Sequence, residues 1–245
     1  MEKLKIYREK ITLRSAACDS EGVWRTSAIL SALQDAAGAH ADALGCGRSL
    51  IVQENIVWVL SRLELQMQRY PAAGETVEIE TFPLPNRRWF FPRSFVLRDE
   101  NGAQIGCAST LWVLMDINTR KMAAPGAVIE LLPDNSDLVA PLAAPGAPAR
   151  VDGETSTFSR LPAYTDLDVN GHVNNTRYAD WLCDALGIEI MRENCLRDLR
   201  INFAAEILPG QEMTLTLARS GENFHLSGAH EGKVHFEIGG TVGAR

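Results

Sequence analysis

The amino-acid sequence predicts an α+β protein made of two similar units, each a long helix packed against an antiparallel sheet. Three observations predict it. In the first half a strand, a long apolar helix and a series of strands follow one another. The same order recurs in the second half, and a segment rich in Pro, Ala and Gly separates the two. We therefore expect units at residues 1–120 and 154–245, joined by a linker at 121–153.

The first unit begins with an extended segment at about 3–16, followed by a helix from Thr26 to about Leu44. Apolar residues recur at helical spacing around much of this helix, which is typical of a buried helix, and Gly45 ends it. Strand-like segments separated by turn signals come next, at 56–68, 74–82, 89–98 and 105–117.

The second unit repeats this order. A strand at about 154–163 leads to a loop ending near His172, and a helix covers about 174–191. Arg14 and Arg160 begin the matching strand-to-loop passages. Strands are predicted at 197–207, 212–219, 222–229 and 233–243. Because the two halves share little sequence identity, the repeat is inferred from the order of the elements alone.

Composition excludes several classes of protein. The net charge of -7 and pI near 5.3 argue against nucleic-acid binding. No secretory signal and no run of about 20 apolar residues is visible, so membrane insertion is not expected. The scattered cysteines argue for reduced thiols in the cytoplasm and against a disulfide framework or structural zinc. They are Cys18, Cys46, Cys107, Cys183 and Cys195.

One segment concentrates polar side chains in a loop that runs into the second helix. The run DLDVNGHVNN at residues 166–175 contains two carboxylates, three carboxamides and a histidine. Asn174 or Asn175 can cap the helix, whose positive end would stabilise an oxygen that gains negative charge. Taken alone, such residues are more often turn and cap residues than catalytic ones, so both interpretations stay open at this point.

The complete run DLDVNGHVNNxxY, residues 166–178, resembles the catalytic loop of the hotdog-fold thioesterases. In particular it resembles the acyl-ACP thioesterase family of plant plastids and bacteria. The resemblance extends to Arg14–Gln34, WVLSRL at 58–63, RRW at 87–89 and WVLMD at 112–116. It implies a tandem, or double, hotdog fold that hydrolyses fatty acyl groups from acyl carrier protein. It implies no cofactor and no metal ion.

The resemblance also assigns catalytic residues. The family's aspartate, asparagine and histidine fall on Asp168, Asn170 and His172. Its glutamate lies in a strand after the helix, in a YRREC-like run, which matches INFAAEI at 201–207 and places the glutamate at Glu206. Two departures matter. Alanines replace the paired arginines, and Ile207 replaces a cysteine once proposed as nucleophile, so no cysteine is in register for a covalent mechanism.

Without a nucleophile, direct attack by water is the simpler mechanism. Glu206, helped by His172, would act as general base. Asn170 and the backbone N–H groups near Val173–Asn174 would hold the thioester oxygen. Asp168 would orient the histidine or the loop backbone, or share in activating the water. Strand alternation offers a rival explanation for Glu206, as a solvent-facing residue on a strand whose other face is apolar.

Substrate contacts are expected in both units. Asn174 and Asn175 would contact the substrate at the catalytic loop, and the family places acyl-chain specificity in the N-terminal unit. There the helix Ile29–Leu44 and the strand Ile56–Leu65 would form the slot, with Trp58 as one wall. The acidic carrier protein, with its phosphopantetheine-linked chain, would need a basic patch. The candidates for it are Arg87, Arg88, Arg93, Arg160 and Arg177.

Other polar and aromatic residues receive structural interpretations. Asp166 is interpreted as a loop anchor, and Tyr178 and Trp181 as packing residues. Three histidines recur every five positions on strands, which puts neighbours on opposite faces and argues against a metal site. They are His225, His230 and His235.

Several alternatives stay open. An acyl-CoA thioesterase would share the same fold and reaction, and a non-catalytic acyl-binding module or a hotdog dehydratase would share the fold. The protein would be a monomer or a homodimer.

Overall fold

The computed structural model describes residues 3–47, 54–126 and 128–245. The first unit consists of β1 (Tyr7–Thr12), α1 (Thr26–Ala43), β2 (Ile56–Met67), β3 (Thr76–Pro83), β4 (Phe91–Arg98) and β5 (Gln104–Asp116). After a short helix α2 (Val128–Leu131), the second unit consists of β6 (Glu154–Arg160), α3 (Arg177–Leu186), α4 (Ile188–Glu193), β7 (Asn194–Phe203), β8 (Met213–Ser220), β9 (Asn223–His230) and β10 (Lys233–Ala244).

All ten strands form one antiparallel sheet, in the order β1-β3-β4-β5-β2-β7-β10-β9-β8-β6. The two units have the same strand order when each is followed from its own edge of the sheet to the centre. In this comparison β6 corresponds to β1, β8 to β3, β9 to β4, β10 to β5 and β7 to β2. β2 and β7 therefore meet at the centre, where Arg62 lies opposite Asn202. This arrangement confirms the predicted α+β class and the repeated order of elements.

Both long helices pack on the same side of the sheet and share one core. Ile29 and Leu33 of α1 belong to the same buried cluster as Trp181 and Leu182 of α3, together with strand residues from both units. Tyr178 is stacked on Phe236, with ring centroids 4.3 Å apart and planes 8° apart, so its packing role is confirmed. The two units are thus joined by core packing as well as by the sheet.

The second helix differs from its prediction. The helix expected at 174–191 is two helices, because the backbone of Gly187 adopts φ 91° and ψ 158°, which ends α3 and redirects the chain into α4. The following strand, expected at 197–207, begins at Asn194 and ends at Phe203. Its last predicted residues lie in a loop, which matters for the site below.

The segment 121–153 holds only the short helix α2 among its described residues and is bonded to the sheet. Asn135 Nδ2 donates to the carbonyl oxygens of Lys5 (3.0 Å) and Pro83 (2.8 Å). The unit boundaries at 120 and 154 stay predictions. Across the described ranges, no helix combines the length and apolarity that crossing a membrane requires.

Candidate active site

The loop at 167–173 is a compact turn organised by Asp168. Its Oδ1 accepts the N–H groups of Asn170 (2.8 Å) and His172 (3.3 Å), and its carbonyl accepts the N–H of Gly171 (3.0 Å). The Asp168 N–H donates to the His172 carbonyl at 2.8 Å. Gly171 adopts φ 78°, a conformation that an L side chain rarely adopts. These bonds fix where the imidazole leaves the backbone.

The first unit contains the same loop without the histidine. Asp19 Oδ1 accepts the N–H groups of Glu21 (3.0 Å) and Val23 (3.2 Å), and its carbonyl accepts the N–H of Gly22 (3.1 Å). The aspartate of this turn therefore builds the loop whether or not a histidine follows. By this geometry Asp168 orients the loop backbone, which is one of the roles expected for it.

Single 3₁₀ turns precede both loops, at Ser15–Ala17 and Tyr164–Asp166. Arg14 and Ala163 flank these turns at the same position. The pairing of Arg14 with Arg160 was therefore wrong, since Arg160 ends strand β6 three residues earlier.

Backbone bonds tie the loop that carries His172 to the chain that follows β7. Val173 N–H donates to the Ile207 carbonyl (2.9 Å), and Asn174 N–H donates to the Asp166 carbonyl (2.8 Å). Both amides are therefore occupied, and their predicted role as donors to the thioester oxygen is wrong. The side chain of Asp166 accepts the Ala163 N–H at 2.9 Å, which confirms Asp166 as a loop anchor.

The structure brings Glu206 beside His172. The distance from His172 Nδ1 to Glu206 Oε2 is 3.4 Å. Glu206 lies in the loop after β7 and not in a strand, because the N–H groups of Ala204 and Ala205 both donate to the His235 carbonyl (2.9 and 3.0 Å), which ends the regular ladder. The expectation of a glutamate on a strand is therefore wrong, and so is the rival explanation based on strand alternation.

Two residues that sequence patterns did not single out for this site hold Glu206. The ring Nδ1 of His235 lies 2.8 Å from the Glu206 carbonyl oxygen. Arg120, which follows β5, places Nη2 against Glu206 Oε2. Arg120 escapes prediction because it lies 86 residues away, in the part of the chain assigned to the first unit.

A tight turn positions Arg120. The Asp116 side chain accepts the Thr119 N–H at 2.7 Å, and this bond holds the pKa of that carboxyl below its usual range. The Arg120 N–H donates to the Asp116 carbonyl at 2.9 Å. Arg120 itself adopts φ 56°, an uncommon conformation for a residue with a side chain. Such backbone strain is often found at functional sites.

The two asparagines before α3 have different contacts. Asn174 Oδ1 accepts the N–H (3.0 Å) and the hydroxyl (2.9 Å) of Thr176. Thr176 is the N-cap of α3 and makes no side-chain cap hydrogen bond within the described residues, so the predicted cap at Asn174 or Asn175 is wrong. Asn175 Oδ1 accepts a 2.9 Å hydrogen bond from Gln34 Nε2 on α1. The Asn175 N–H has no hydrogen-bond partner in the described part of the chain. This donor lies at the positive end of α3, next to the loop.

An apolar cavity of about 180 Å³ adjoins this contact in the first unit. One face of α1 lines it, through Gln34, Ala37, Gly38 and Ala41, opposite aromatic and proline side chains. Trp58 lies in its wall as predicted, although its part in binding substrate stays a prediction.

The Trp58 side chain is fixed on two sides. Its Nε1 donates to the Cys46 carbonyl at 2.7 Å, and its ring meets Phe91 edge-on with centroids 4.9 Å apart.

The five arginines proposed for a docking patch are not equivalent. Arg93 is 7% exposed, so its placement at the surface was wrong. Arg160 contacts Asp166 (3.5 Å) and Asp184 (3.7 Å), and Arg177 contacts Asp180 (3.1 Å). Arg87 and Arg88 are exposed in the loop between β3 and β4 and contact no carboxylate of the described residues.

No thiol competes for the role of nucleophile. Burial raises the pKa of Cys183 to about 12 and raises the pKa of Cys195 as well, so neither is a thiolate at neutral pH. Within the described ranges, no cluster of three or more His, Cys, Asp or Glu side chains could hold a metal ion.

Comparison with known proteins agrees with the fold and identifies the family. The family model of the acyl-ACP thioesterase N-terminal domain matches residues 4–126, and that of the C-terminal domain matches residues 152–240. The chain belongs to the acyl-ACP thioesterase family. Within this family, a solved acyl-ACP thioesterase from Bacteroides thetaiotaomicron superimposes with a TM-score of 0.87, at 26% identity over 97% of this chain and 98% of that one.

A second solved acyl-ACP thioesterase, described as the 12:0-ACP thioesterase from Umbellularia californica, superimposes with a TM-score of 0.83, covering 98% of each chain. At 20% identity it supports the fold alone. With the Bacteroides structure it confirms the double hotdog architecture.

Curated acyl-ACP thioesterases align over a shorter part of their own length. The palmitoyl-acyl carrier protein thioesterase of Arabidopsis thaliana is 29% identical over 216 residues, which is 82% of this chain and 52% of the relative. The oleoyl-acyl carrier protein thioesterase 1 of the same plant is 26% identical, over 82% of this chain and 60% of the relative. The chain thus spans between half and two thirds of the length of these relatives.

Proposed function

We propose that this protein hydrolyses the thioester of a fatty acyl group on acyl carrier protein and releases the free fatty acid. The observation that carries the proposal is the 3.4 Å contact of His172 with Glu206, made beside the N-terminus of α3. Membership of the acyl-ACP thioesterase family and the names of the curated relatives support it.

Glu206 acts as the general base in this proposal. Arg120 and His172 both contact Oε2 of Glu206. Oε1 is therefore left to bind and deprotonate a water molecule that attacks the thioester carbon. General base catalysis by a positioned side chain contributes typically about 10²–10⁴-fold. His172 holds the carboxylate in place. As the C–S bond breaks, the proton taken from water passes to the departing phosphopantetheine thiolate, so the products are the free fatty acid and the carrier's thiol.

The thioester oxygen gains negative charge as water adds. We propose that the N–H of Asn175, at the positive end of α3, and the side-chain amide of Asn170 stabilise it. This replaces the Val173 and Asn174 amides, which are bonded elsewhere. Asn170 Nδ2 is 3.4 Å from Asp168 Oδ2, a long contact that leaves the amide able to turn toward a substrate.

The acyl chain occupies the cavity of the first unit. Gln34 both lines this cavity and bonds Asn175, so the cavity begins where the reacting carbon would lie. The apolar wall formed with Trp58 suits an alkyl chain. In this proposal the first unit sets chain-length preference and the second unit carries out the chemistry.

The carrier protein docks on the loop between β3 and β4. Arg87 and Arg88 supply positive charge there, and Trp89 and Phe90 are 42% and 39% exposed. This loop lies at the end of the sheet where β7 ends, three strand spacings or about 14 Å away. A long flexible phosphopantetheine arm fits such a separation.

Compartment and assembly are part of the proposal. Five free cysteines support a reducing, cytoplasmic location. A monomer is the favoured state, because the contact of β2 with β7 supplies within one chain the pairing that single hotdog units obtain by dimerising. A homodimer would show a doubled mass by light scattering.

The test is steady-state hydrolysis of acyl-ACP over a range of chain lengths, with the matching acyl-CoA as competitor substrate. Glu206→Gln and His172→Ala should each lower kcat by about 10²-fold or more. Glu237→Gln is the matched control, since Glu237 also lies beside a histidine, His225, at 3.8 Å, but away from the loop.

Near-wild-type rates in Glu206→Gln or His172→Ala would remove that residue from the mechanism. Faster turnover of acyl-CoA than of acyl-ACP would identify the protein as an acyl-CoA thioesterase. Binding of the acyl chain without hydrolysis would assign a non-catalytic acyl-binding module.

A further inference from the structure

A buried arginine lines the cavity without a negatively charged partner in the described part of the chain. Arg93 is 7% exposed and contributes to the cavity lining. Its hydrogen bonds run from Nη1 to His40 Nδ1 (3.1 Å) and to Thr81 Oγ1 (3.3 Å). No carboxylate among the described residues lies within ion-pair distance of it. A buried charge of this kind is costly unless it is paired.

His40 does not compensate this charge. Its Nε2 lies 2.9 Å from the Leu4 carbonyl oxygen, so Nε2 carries the proton and Nδ1 accepts from Arg93. The ring is therefore neutral. Burial, reinforced by Arg93, lowers the pKa of His40 to about 4. The pKa of Arg93, lowered by burial to about 10, keeps the guanidinium protonated at neutral pH.

Part of the guanidinium remains available to a ligand. Arginine has five N–H donors, and Nη1 supplies both hydrogen bonds just described. Nε and Nη2 have no hydrogen-bond partner in the part of the chain that the structure describes, and Arg93 is one of the residues that line the cavity. A ligand oxygen is the partner that this geometry lacks.

The guanidinium lies away from the reacting end of the cavity. Gln34, which bonds the catalytic loop, and His40, which bonds Arg93, are six residues apart on α1. At the helical rise, this separation is about 9 Å along the axis of α1, whose face lines the cavity. A chain that starts at the thioester and follows α1 would bring its remote end to Arg93.

We propose that this cavity takes acyl chains that carry an oxygen, as a hydroxyl or carboxyl group, at the end remote from the thioester. Arg93 is the residue that selects them. A plain alkyl chain of the same length would place methylene groups against an unpaired cation, whereas an oxygen would complete its hydrogen bonds. This inference rests on the proposed thioesterase function and specifies its substrate class.

The test compares acyl carrier protein loaded with matched alkyl, ω-hydroxy and ω-carboxy chains over a series of lengths. For at least one length, the wild-type kcat/KM should be about tenfold or more higher for an oxygenated chain than for the alkyl chain. Arg93→Met should abolish or reverse that ratio, and Arg93→Lys should retain part of it. Arg98→Met should leave the ratio unchanged, because Arg98 lies on the same strand but bonds, among the described residues, only to the Gly102 carbonyl.

A wild-type preference for the alkyl chain at every length would overturn the proposal, and this result does not depend on any variant folding. A second measurement tests the role of Arg93 independently of the proposed thioesterase function. Free ω-hydroxy and ω-carboxy acids should raise the Tm of the wild type more than the matched fatty acid does. If no thioester is hydrolysed, the proposed function fails, while the Tm comparison still decides whether Arg93 binds oxygen. Equal Tm shifts for all three acids would also refute the proposal that Arg93 binds the oxygen of the chain.

Discussion

Gln34 of α1 donates a 2.9 Å hydrogen bond to the side-chain oxygen of Asn175 just before α3, so the apolar cavity of the first unit is linked directly to the loop that carries His172. The Asn175 N–H has no hydrogen-bond partner in the described residues. Loss of the bond would free Asn175 to rotate away from the reacting carbon.

Gln34→Met tests this relationship, because it keeps the length of the side chain and removes the donor. A neutral hydrogen bond contributes about 0.5–1.5 kcal/mol, so kcat/KM should fall by up to about tenfold. Combining it with Asn175→Ala should produce less than the product of the two single effects. Gln104→Met, an exposed change in the same unit, is the control. Independent, multiplicative effects would show that the contact plays no part.

Arg120 should affect activity more than stability. Arg120→Asn removes the guanidinium from Glu206 but suits the left-handed backbone at φ 56°, which asparagine tolerates. We expect Tm to stay the same or rise, because the ion pair is partly exposed and solvent screens its contribution to stability. We expect kcat to fall by about tenfold, because Glu206 loses the contact that positions its carboxylate. Arg120→Lys should recover part of the rate.

Lys121→Gln serves as the control for Arg120, because it removes an adjacent exposed charge that contacts no carboxylate in the described ranges. If Arg120→Asn and Lys121→Gln changed kcat equally, the effect would come from net charge and not from the contact with Glu206.

Gly38 keeps the cavity open. A Cβ added there meets no atom within 4 Å, and the residue lies inside α1. Gly38→Ala should therefore raise the free energy of unfolding by about 0.5–1 kcal/mol through helix propensity, with little change in substrate preference. Gly38→Leu should fill the cavity and raise the ratio of short-chain to long-chain kcat/KM by about tenfold. An unchanged chain-length profile in Gly38→Leu would place the acyl chain elsewhere.

His40 makes stability depend on pH. The unfolded chain takes up a proton at His40 near pH 6.5, whereas the folded chain does so only near pH 4. Between these values the unfolded state binds more protons, so the folded state loses stability as pH falls and is unaffected above about 6.5. The loss should be on the order of 2 kcal/mol, allowing for solvent screening.

Denaturant unfolding of the wild type and of His40→Asn at a series of pH values between 4 and 7 measures this loss. Carboxylates contribute equally to both proteins, so the difference between the two curves isolates the histidine. Parallel curves would mean that His40 titrates normally.

Local sequence patterns predicted much of the fold because hydrophobic periodicity and turn residues act over short distances. The helix from Thr26 and most strand bounds were close to those observed. The break at Gly187 was missed because a helical pattern continues on both sides of it. Glu206 was placed on a strand because the bonds that end β7 come from His235, a residue on another strand.

The residues around the site were predicted less completely for a similar reason. The motif at 166–178 identifies its own polar side chains, but it cannot reveal partners such as Gln34 and Arg120, which are distant in sequence. Arg93 was assigned to the surface because arginine usually lies there. Its burial depends on His40 and Thr81, which belong to two other elements.

The central pairing of β2 with β7 also has a consequence for how this chain folds. Arg62 and Asn202, opposite each other across that pairing, are 140 residues apart, so the strands must close a very long loop before they meet. Topologies dominated by such distant contacts form slowly. Gln34 and Arg120 reach their partners only across this junction, and a refolding chain should therefore regain compactness and secondary structure before it becomes competent for turnover.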